Sequence, residues 1–263
     1  MKNTLLSLIL VLALIFGFSP ISSEAATLHA FLVLDTQAEN IGDGVKVNEK
    51  NMLNAIQKIG DYTDLELNIV TFKGKEANSS FIDKIEKTEI DADDVVLFFW
   101  SGHGYRTLLK DWYKNPWPSF SFHNQWWAGM DLLDITKYLE SKNPRLVIAL
   151  AETCNSYTPI APPMYSVASR AGYVNIRSNY QRLFLESSGT IIASSSKPGQ
   201  YSWINRTKGG HFVNAFISSL NHEVSFAKDP KWESVMKKTK DNVKSLKLGT
   251  KQVPQYEVNV IYH

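Results

Sequence analysis

At 263 residues, 44% of them hydrophobic and 12% aromatic, the chain is long enough to bury one sizeable domain. A formal net charge of +2, with no basic stripe or charge block, excludes nucleic acid as an implied partner. A single cysteine excludes an intrachain disulfide framework and any multi-thiolate metal site; a lone thiol is either an inert core residue or a nucleophile, and its position decides which.

The chain opens with Lys2, an apolar run over residues 5–18, Pro20 and the small-residue segment Ser23-Glu24-Ala25. This is the pattern of an export signal over residues 1–25, followed by one domain over residues 26–263. The apolar run is short for a membrane span, an uncleaved anchor being the alternative. Either way the domain is expected in an extracytoplasmic space, periplasmic or secreted, with membrane contact only through the signal segment.

A first buried strand is predicted over residues 28–34, ending at Asp35. A glycine-containing turn, Ile41-Gly42-Asp43-Gly44, follows. Val47, Met52, Leu53, Ile56 and Ile59 then recur at helical spacing, with Gly60 read as the stop. Residues 65–72 read as a second strand. Ser79 or Ser80 is expected to cap a short helix through Phe81, Ile82 and Ile85. Residues 95–101 form an apolar run of the kind found in a central strand covered on both faces. Tryptophans and prolines interrupt any periodicity from 105 to 130, so that stretch reads as an aromatic loop.

Asp131 can cap a helix packing Leu132, Ile135, Tyr138 and Leu139. A buried strand over 145–150, an irregular section from 155 to about 177, and another buried strand over 189–194 come next. Helices over 211–220 and 232–246 and a last strand over 255–262 complete the chain. Strands alternating with helices at this spacing predict an α/β domain, with a mostly parallel central sheet and helices on both faces.

Two strand ends carry reactive groups. The 95–101 run stops on Ser101-Gly102-His103-Gly104, and the 145–150 run leads into Ala151-Glu152-Thr153-Cys154-Asn155-Ser156. The C-terminal edge of such a sheet is where open α/β folds put their chemistry. If the two strands are neighbours, as consecutive strands are about two times in three, His103 and Cys154 face one cleft. A thiol, an imidazole and two N–H groups for a developing oxyanion are the parts of a cysteine peptidase. The Gly104 and Cys154 amides, at the two turns, are the natural oxyanion donors. Roughly 50 residues separate the histidine from the cysteine, as in caspases.

On these residues the chain resembles the caspase and metacaspase family of clan CD cysteine peptidases, in a secreted bacterial form. Gly210-His211-Phe212 at a helix start and Gln252-x-Pro254 before the last strand add to the resemblance, which spans residues 28–262. It implies a three-layer caspase-like (haemoglobinase) fold, a His103–Cys154 dyad without a third catalytic carboxylate, peptide or protein substrates, and a cleft wall over residues 194–203. Ser195, Tyr201 and Trp203 are its candidate substrate contacts. Caspases carry Gln-Ala-Cys-x-Gly at the nucleophile; here the run is Glu152-Thr153-Cys154-Asn155-Ser156. The loop after the first strand also lacks the arginine that caspases use to bind a substrate aspartate. An acidic Glu152, with Asp35 as its candidate companion, therefore points to cleavage after Arg or Lys.

Competing readings stay open at this stage. Glu152 could be a solvated loop carboxylate and Asp35 a turn residue. The aromatic loop could be a lid, or the recognition surface of a catalytically silent scaffold. Another hydrolase of the same clan, with a different side-chain preference, is a third possibility. No cofactor is expected. Asp91, Asp93 and Asp94 are arranged as a polar turn rather than a spaced calcium loop, although some metacaspases bind calcium. No histidine pair has zinc spacing, Gly42-Asp43-Gly44 lacks the third glycine of a dinucleotide loop, and no Gly-x-Ser-x-Gly elbow occurs.

Overall fold

The computed structural model describes residues 25–110, 114–122, 130–157, 176–246, 248 and 250–263. The expected export signal lies outside these residues, apart from Ala25. Six strands form the central sheet: β1 (Thr27–Leu34), β2 (Glu66–Lys73), β3 (Val95–Ser101), β6 (Leu146–Glu152), β7 (Ser187–Ser194) and β10 (Gln255–Tyr262). Their order is β10-β7-β6-β3-β1-β2, and every pairing is parallel except β10 with β7. Two small antiparallel ribbons accompany it, β4 (His103–Tyr105) with β5 (Ser119–Ser121), and β8 (Ile204–Asn205) with β9 (Gly209–Gly210).

Alternation along the strands builds two cores, one on each face. Leu97 and Phe99 of β3, with Ile148 and Leu150 of β6, pack under α1 (Gly42–Thr63), α4 (Ile176–Phe184), α5 (His211–Phe226) and α6 (Trp232–Lys244). Phe98 and Trp100, with Val147 and Ala149, pack under α2 (Phe81–Glu86), α3 (Leu132–Glu140) and the 117–122 segment. Both central strands are buried along their whole length, which explains their unbroken apolar runs. β1 connects outward to β2, and the chain then returns across β1 to β3. The strand order therefore reverses between β1 and β3, and the crevice beyond their C-terminal ends is the switch point where such sheets bind ligands.

Four local expectations are corrected. Gly42-Asp43-Gly44 is the first turn of α1 rather than a loop. A Cβ on Gly44 would lie 2.6 Å from the Ile204 side chain, so its glycine allows β8 to approach the helix. Gly60 does not end α1; it lets the Leu67 side chain pack closely, and the helix stops at Asp64 in the left-handed conformation. Ser80 holds the cap position of α2, but its hydroxyl makes no capping bond, and its own N–H donates to Asn78 Oδ1 at 2.9 Å. Helix α4 starts where the irregular section is expected to end, near 177, and runs on through residues to which the sequence assigns no element, burying Tyr180, Leu183 and Phe184. The Asp131 cap forms as expected, accepting from the Asp134 amide at 2.9 Å.

Candidate active site

β3 and β6 are neighbours, with Ser101 opposite Glu152 in the register. Beyond that pair the two chains stay in contact. The Gly102 amide donates to Glu152 O at 3.4 Å, and Thr153 Oγ1 donates to Gly102 O at 2.9 Å. A Cβ on Gly104 would lie 2.2 Å from Thr153 Oγ1 and 2.7 Å from Cys154 O, so only glycine lets the histidine turn seat against the cysteine turn. The structure thus brings His103, Gly104 and Cys154 to one point of the sheet edge.

The turn holding Cys154 is fastened on both sides. Ser195 Oγ accepts from the Thr153 amide at 2.9 Å and donates to Thr153 O at 2.7 Å, while Ser196 Oγ donates to the same carbonyl at 3.0 Å. The Asn155 amide donates to Gln200 O at 3.0 Å. Asn155 Nδ2 reaches Pro116 O at 2.8 Å, and its Oδ1 accepts from Arg106 Nε at 2.9 Å. With both flanking amides committed, the Cys154 N–H has no partner among the described residues. Gly104 has a matching orientation. The Phe120 amide donates to Met130 O at 2.9 Å, so Gly104 and Phe120 are a non-hydrogen-bonded pair of the β4–β5 ribbon, and the Gly104 N–H turns off the ladder.

The thiol itself is half-buried. The Ser202 amide donates to Cys154 Sγ at 3.3 Å, and Sγ lies 3.8 Å from Ser202 O. Burial raises the thiol pKa to about 11; the Ser202 contact works against that rise and the Glu152 carboxylate adds to it. Burial lowers the His103 pKa from its usual 6.5. Both shifts favour the uncharged thiol–imidazole pair over the thiolate–imidazolium pair.

Glu152 is 3% exposed. Its Oε1 accepts from Ser202 Oγ at 2.5 Å and its Oε2 from the Val213 amide at 2.9 Å, so the carboxylate sits on the N-terminus of α5. Desolvation still dominates and lifts its pKa to about 7, the hydrogen bonds from Ser202 and α5 holding it lower than burial alone would. It is therefore not a solvated loop carboxylate.

Other expected contacts fare differently. Asp35 is buried against Trp100 and Gly102: a Cβ on Gly102 would lie 3.1 Å from Asp35 Cβ and 2.6 Å from the Trp100 ring. That is the Trp100 face of the sheet, whereas Glu152 points to α5 on the other, so Asp35 is not its pocket companion. Ser195 is fully buried and holds the Cys154 turn instead of lining a wall. Trp203 is 3% exposed, its amide donating to Gln252 Oε1 at 3.0 Å, and Tyr201 is half-exposed beside it.

Trp117, Phe120 and Phe122 of the aromatic stretch are core residues, Trp100 stacking on Phe120 at 4.8 Å between ring centroids. Trp112, Trp126 and Trp127 lie outside the described residues. Asp94 accepts from His29 Nε2 at 2.9 Å and from the Thr27 and Asp91 amides, the work of a turn residue. Among the described residues no cluster of His, Cys, Asp or Glu could hold a metal ion, and no helix is long and apolar enough to cross a membrane.

Sequence reasoning missed Arg106, Asn155, Ser202 and Asn40. Arg106 is buried and ties the following loop to the cysteine turn, donating to Asn115 O at 2.9 Å and Trp117 O at 3.1 Å as well as to Asn155. A lone arginine after a strand end carries no periodic signal, so nothing in the sequence marks it.

A parallel α/β sheet with a histidine and a cysteine at adjacent strand ends defines a class, and comparison with known proteins narrows it. The model of the caspase domain matches residues 39–261, and the chain belongs to that peptidase family. Caspase-1 from Spodoptera frugiperda superimposes with a TM-score of 0.51 at 14% identity, over 89% of this chain and 88% of that one, a likeness of fold. No curated protein matches in sequence.

Proposed function

We propose that this caspase-domain protein is an exported cysteine endopeptidase that cleaves peptide bonds after Arg or Lys. The observation carrying the reading is the adjacency of β3 and β6, with the His103 and Cys154 turns in contact just beyond their last register pair. With both groups uncharged at rest, His103 acts as general base. It takes the thiol proton as sulfur attacks the substrate carbonyl carbon, and returns that proton to the leaving amine as the C–N bond breaks. Water then releases the acyl group, activated by the same imidazole. The Gly104 and Cys154 amides, neither with a hydrogen-bond acceptor among the described residues, are suited to the oxyanion. No cofactor enters these steps.

The basic preference rests on Glu152. It is a buried carboxylate with no cationic partner among the described residues, two positions from the nucleophile. A substrate guanidinium or ammonium ion would supply the missing charge, whereas a substrate aspartate would set two carboxylates together in a poorly solvated site. The test is hydrolysis of fluorogenic peptides ending in Arg, Lys or Asp by the mature domain, in reductant, beside Cys154→Ala. Cleavage after Arg and Lys that disappears in the variant is expected, its kcat/KM rising as pH passes through about 7 and Glu152 ionises. Cleavage after Asp alone overturns the Glu152 assignment. Turnover that survives Cys154→Ala overturns the nucleophile.

A further inference from the structure

One contact at the switch point is unused by that chemistry. Asn40 Oδ1 lies 2.8 Å from His103 Nε2, across the crevice between the ends of β1 and β3. Asn40 belongs to the tight connection from β1 to α1. Its neighbours Ala38 and Ile41 are buried, the Gly42 amide donates to Ala38 O at 2.8 Å, and the Asp35 amide donates to Ser101 O at 2.9 Å. That connection is therefore fastened both to the helix it starts and to the strand that ends in His103. An exposed side chain on so constrained a backbone has few positions open to it.

We infer that Asn40 is a positioning residue that orients the His103 imidazole and selects its tautomer; this rests on the peptidase reading of His103. An amide oxygen can only accept, so the Nε2 in contact with it carries a proton. In the neutral ring Nδ1 is then the unprotonated nitrogen, the one able to accept the thiol proton. When the imidazolium forms, the Nε2–H bond to Oδ1 becomes charge-assisted and strengthens as the reaction needs it. A neutral amide does this without the charge of a carboxylate, leaving the ring uncharged at rest. Burial lowers the His103 pKa, and Asp35 and Glu39 are the acidic side chains of the same connection.

The experiment compares wild type, Asn40→Ala and Asn40→Asp by the pH titration of the His103 ring in 15N spectra, assigned by its loss in His103→Gln, and by steady-state kinetics on an Arg peptide. The ring midpoint is expected to rise from the Ala variant through wild type to the Asp variant, the last by a unit or more, as for a contacting carboxylate (about 1–3 units). Asn40→Ala is expected to lower kcat about 10- to 100-fold with KM little changed, part of the roughly 10²–10⁴ that a positioned base supplies. Asn40→Asp should recover part of kcat with its acid limb moved to higher pH. Glu39→Gln, a charge change on the same loop without the contact, is expected to leave midpoint and kcat in place. Identical ring midpoints in wild type and both Asn40 variants overturn the inference, and so does a loss in Asn40→Ala confined to KM. Ordered midpoints in a protein with no thiol-dependent hydrolysis would uphold the contact and reject the peptidase reading instead.

Discussion

Cys154 and His103 are shifted in opposite directions by one cause, removal from water. Desolvation penalises whichever form is charged, the thiolate for cysteine and the imidazolium for histidine. The resting site is accordingly protonated on sulfur and uncharged on the ring, and two measurements follow. Alkylation of the free enzyme by iodoacetamide is expected to be slow at pH 7 and to climb steadily into alkaline pH, because the thiol pKa is raised to about 11. A fast plateau already reached near pH 6 would indicate a preformed ion pair. In Glu152→Gln, which lacks the limb near 7, the remaining acid limb of kcat/KM, which reports the base in the free enzyme, should fall below pH 6.5, since His103 is lowered from that value.

At the scale of elements, Glu152 links the end of β6 to the start of α5, and its titration should appear in stability. The folded pKa of about 7 exceeds the ordinary 4.5, so the native state binds the proton more tightly than the unfolded chain. This contribution to stability is fully present below about pH 4.5 and is lost as pH rises through about 7. Urea midpoints at pH 5 and pH 7.5 should therefore show a downward step that Glu152→Gln flattens; an unchanged step would mean that another group carries it.

Arg106 joins the aromatic loop to the cysteine turn. Arg106→Ala leaves Asn155 Oδ1 and the Asn115 and Trp117 carbonyls without their donor. The expected loss of stability is about 3 kcal/mol or more, since each buried unpaired group costs roughly 1–3 kcal/mol. Arg106→Lys should recover little of this, an ammonium being unable to span the same fork. Leu108→Ala, at a side chain 88% exposed, should stay within about 0.5 kcal/mol of wild type. Equal effects of Arg106→Ala and Leu108→Ala in urea denaturation would remove Arg106 from this role.

Across the whole molecule, sheet positions were readable because burial on both faces writes itself as unbroken apolar runs. Residues 95–101 and 145–150 needed no partner information to be recognised as central strands. His103, Gly104 and Cys154 were legible because each sits where such a run ends. What stayed hidden depends on which residues the fold brings together. The α1 start looked like a turn because the reason for Gly44 is Ile204, far along the chain. Asp35 and Glu152 both close strands on the same edge, and only the alternation of side chains across the sheet separates them. Helix α4 was written at Ile176, Tyr180, Leu183 and Phe184, a helical spacing obscured by the prolines that precede it. Asn40, Arg106 and Ser202 act through contacts between loops, for which the sequence has no period.

The adjacency of the His103 and Cys154 turns is the central claim, and covalent labelling tests it most directly. Mature wild type and His103→Ala would each be treated at pH 7 with a peptidyl-arginine acyloxymethyl ketone, and the adduct mapped and timed by mass spectrometry. A single adduct on Cys154, formed rapidly in wild type and at least about 100-fold more slowly without the base, is the predicted result. Equal labelling rates in the two proteins, or no adduct on Cys154 in wild type, would contradict the account.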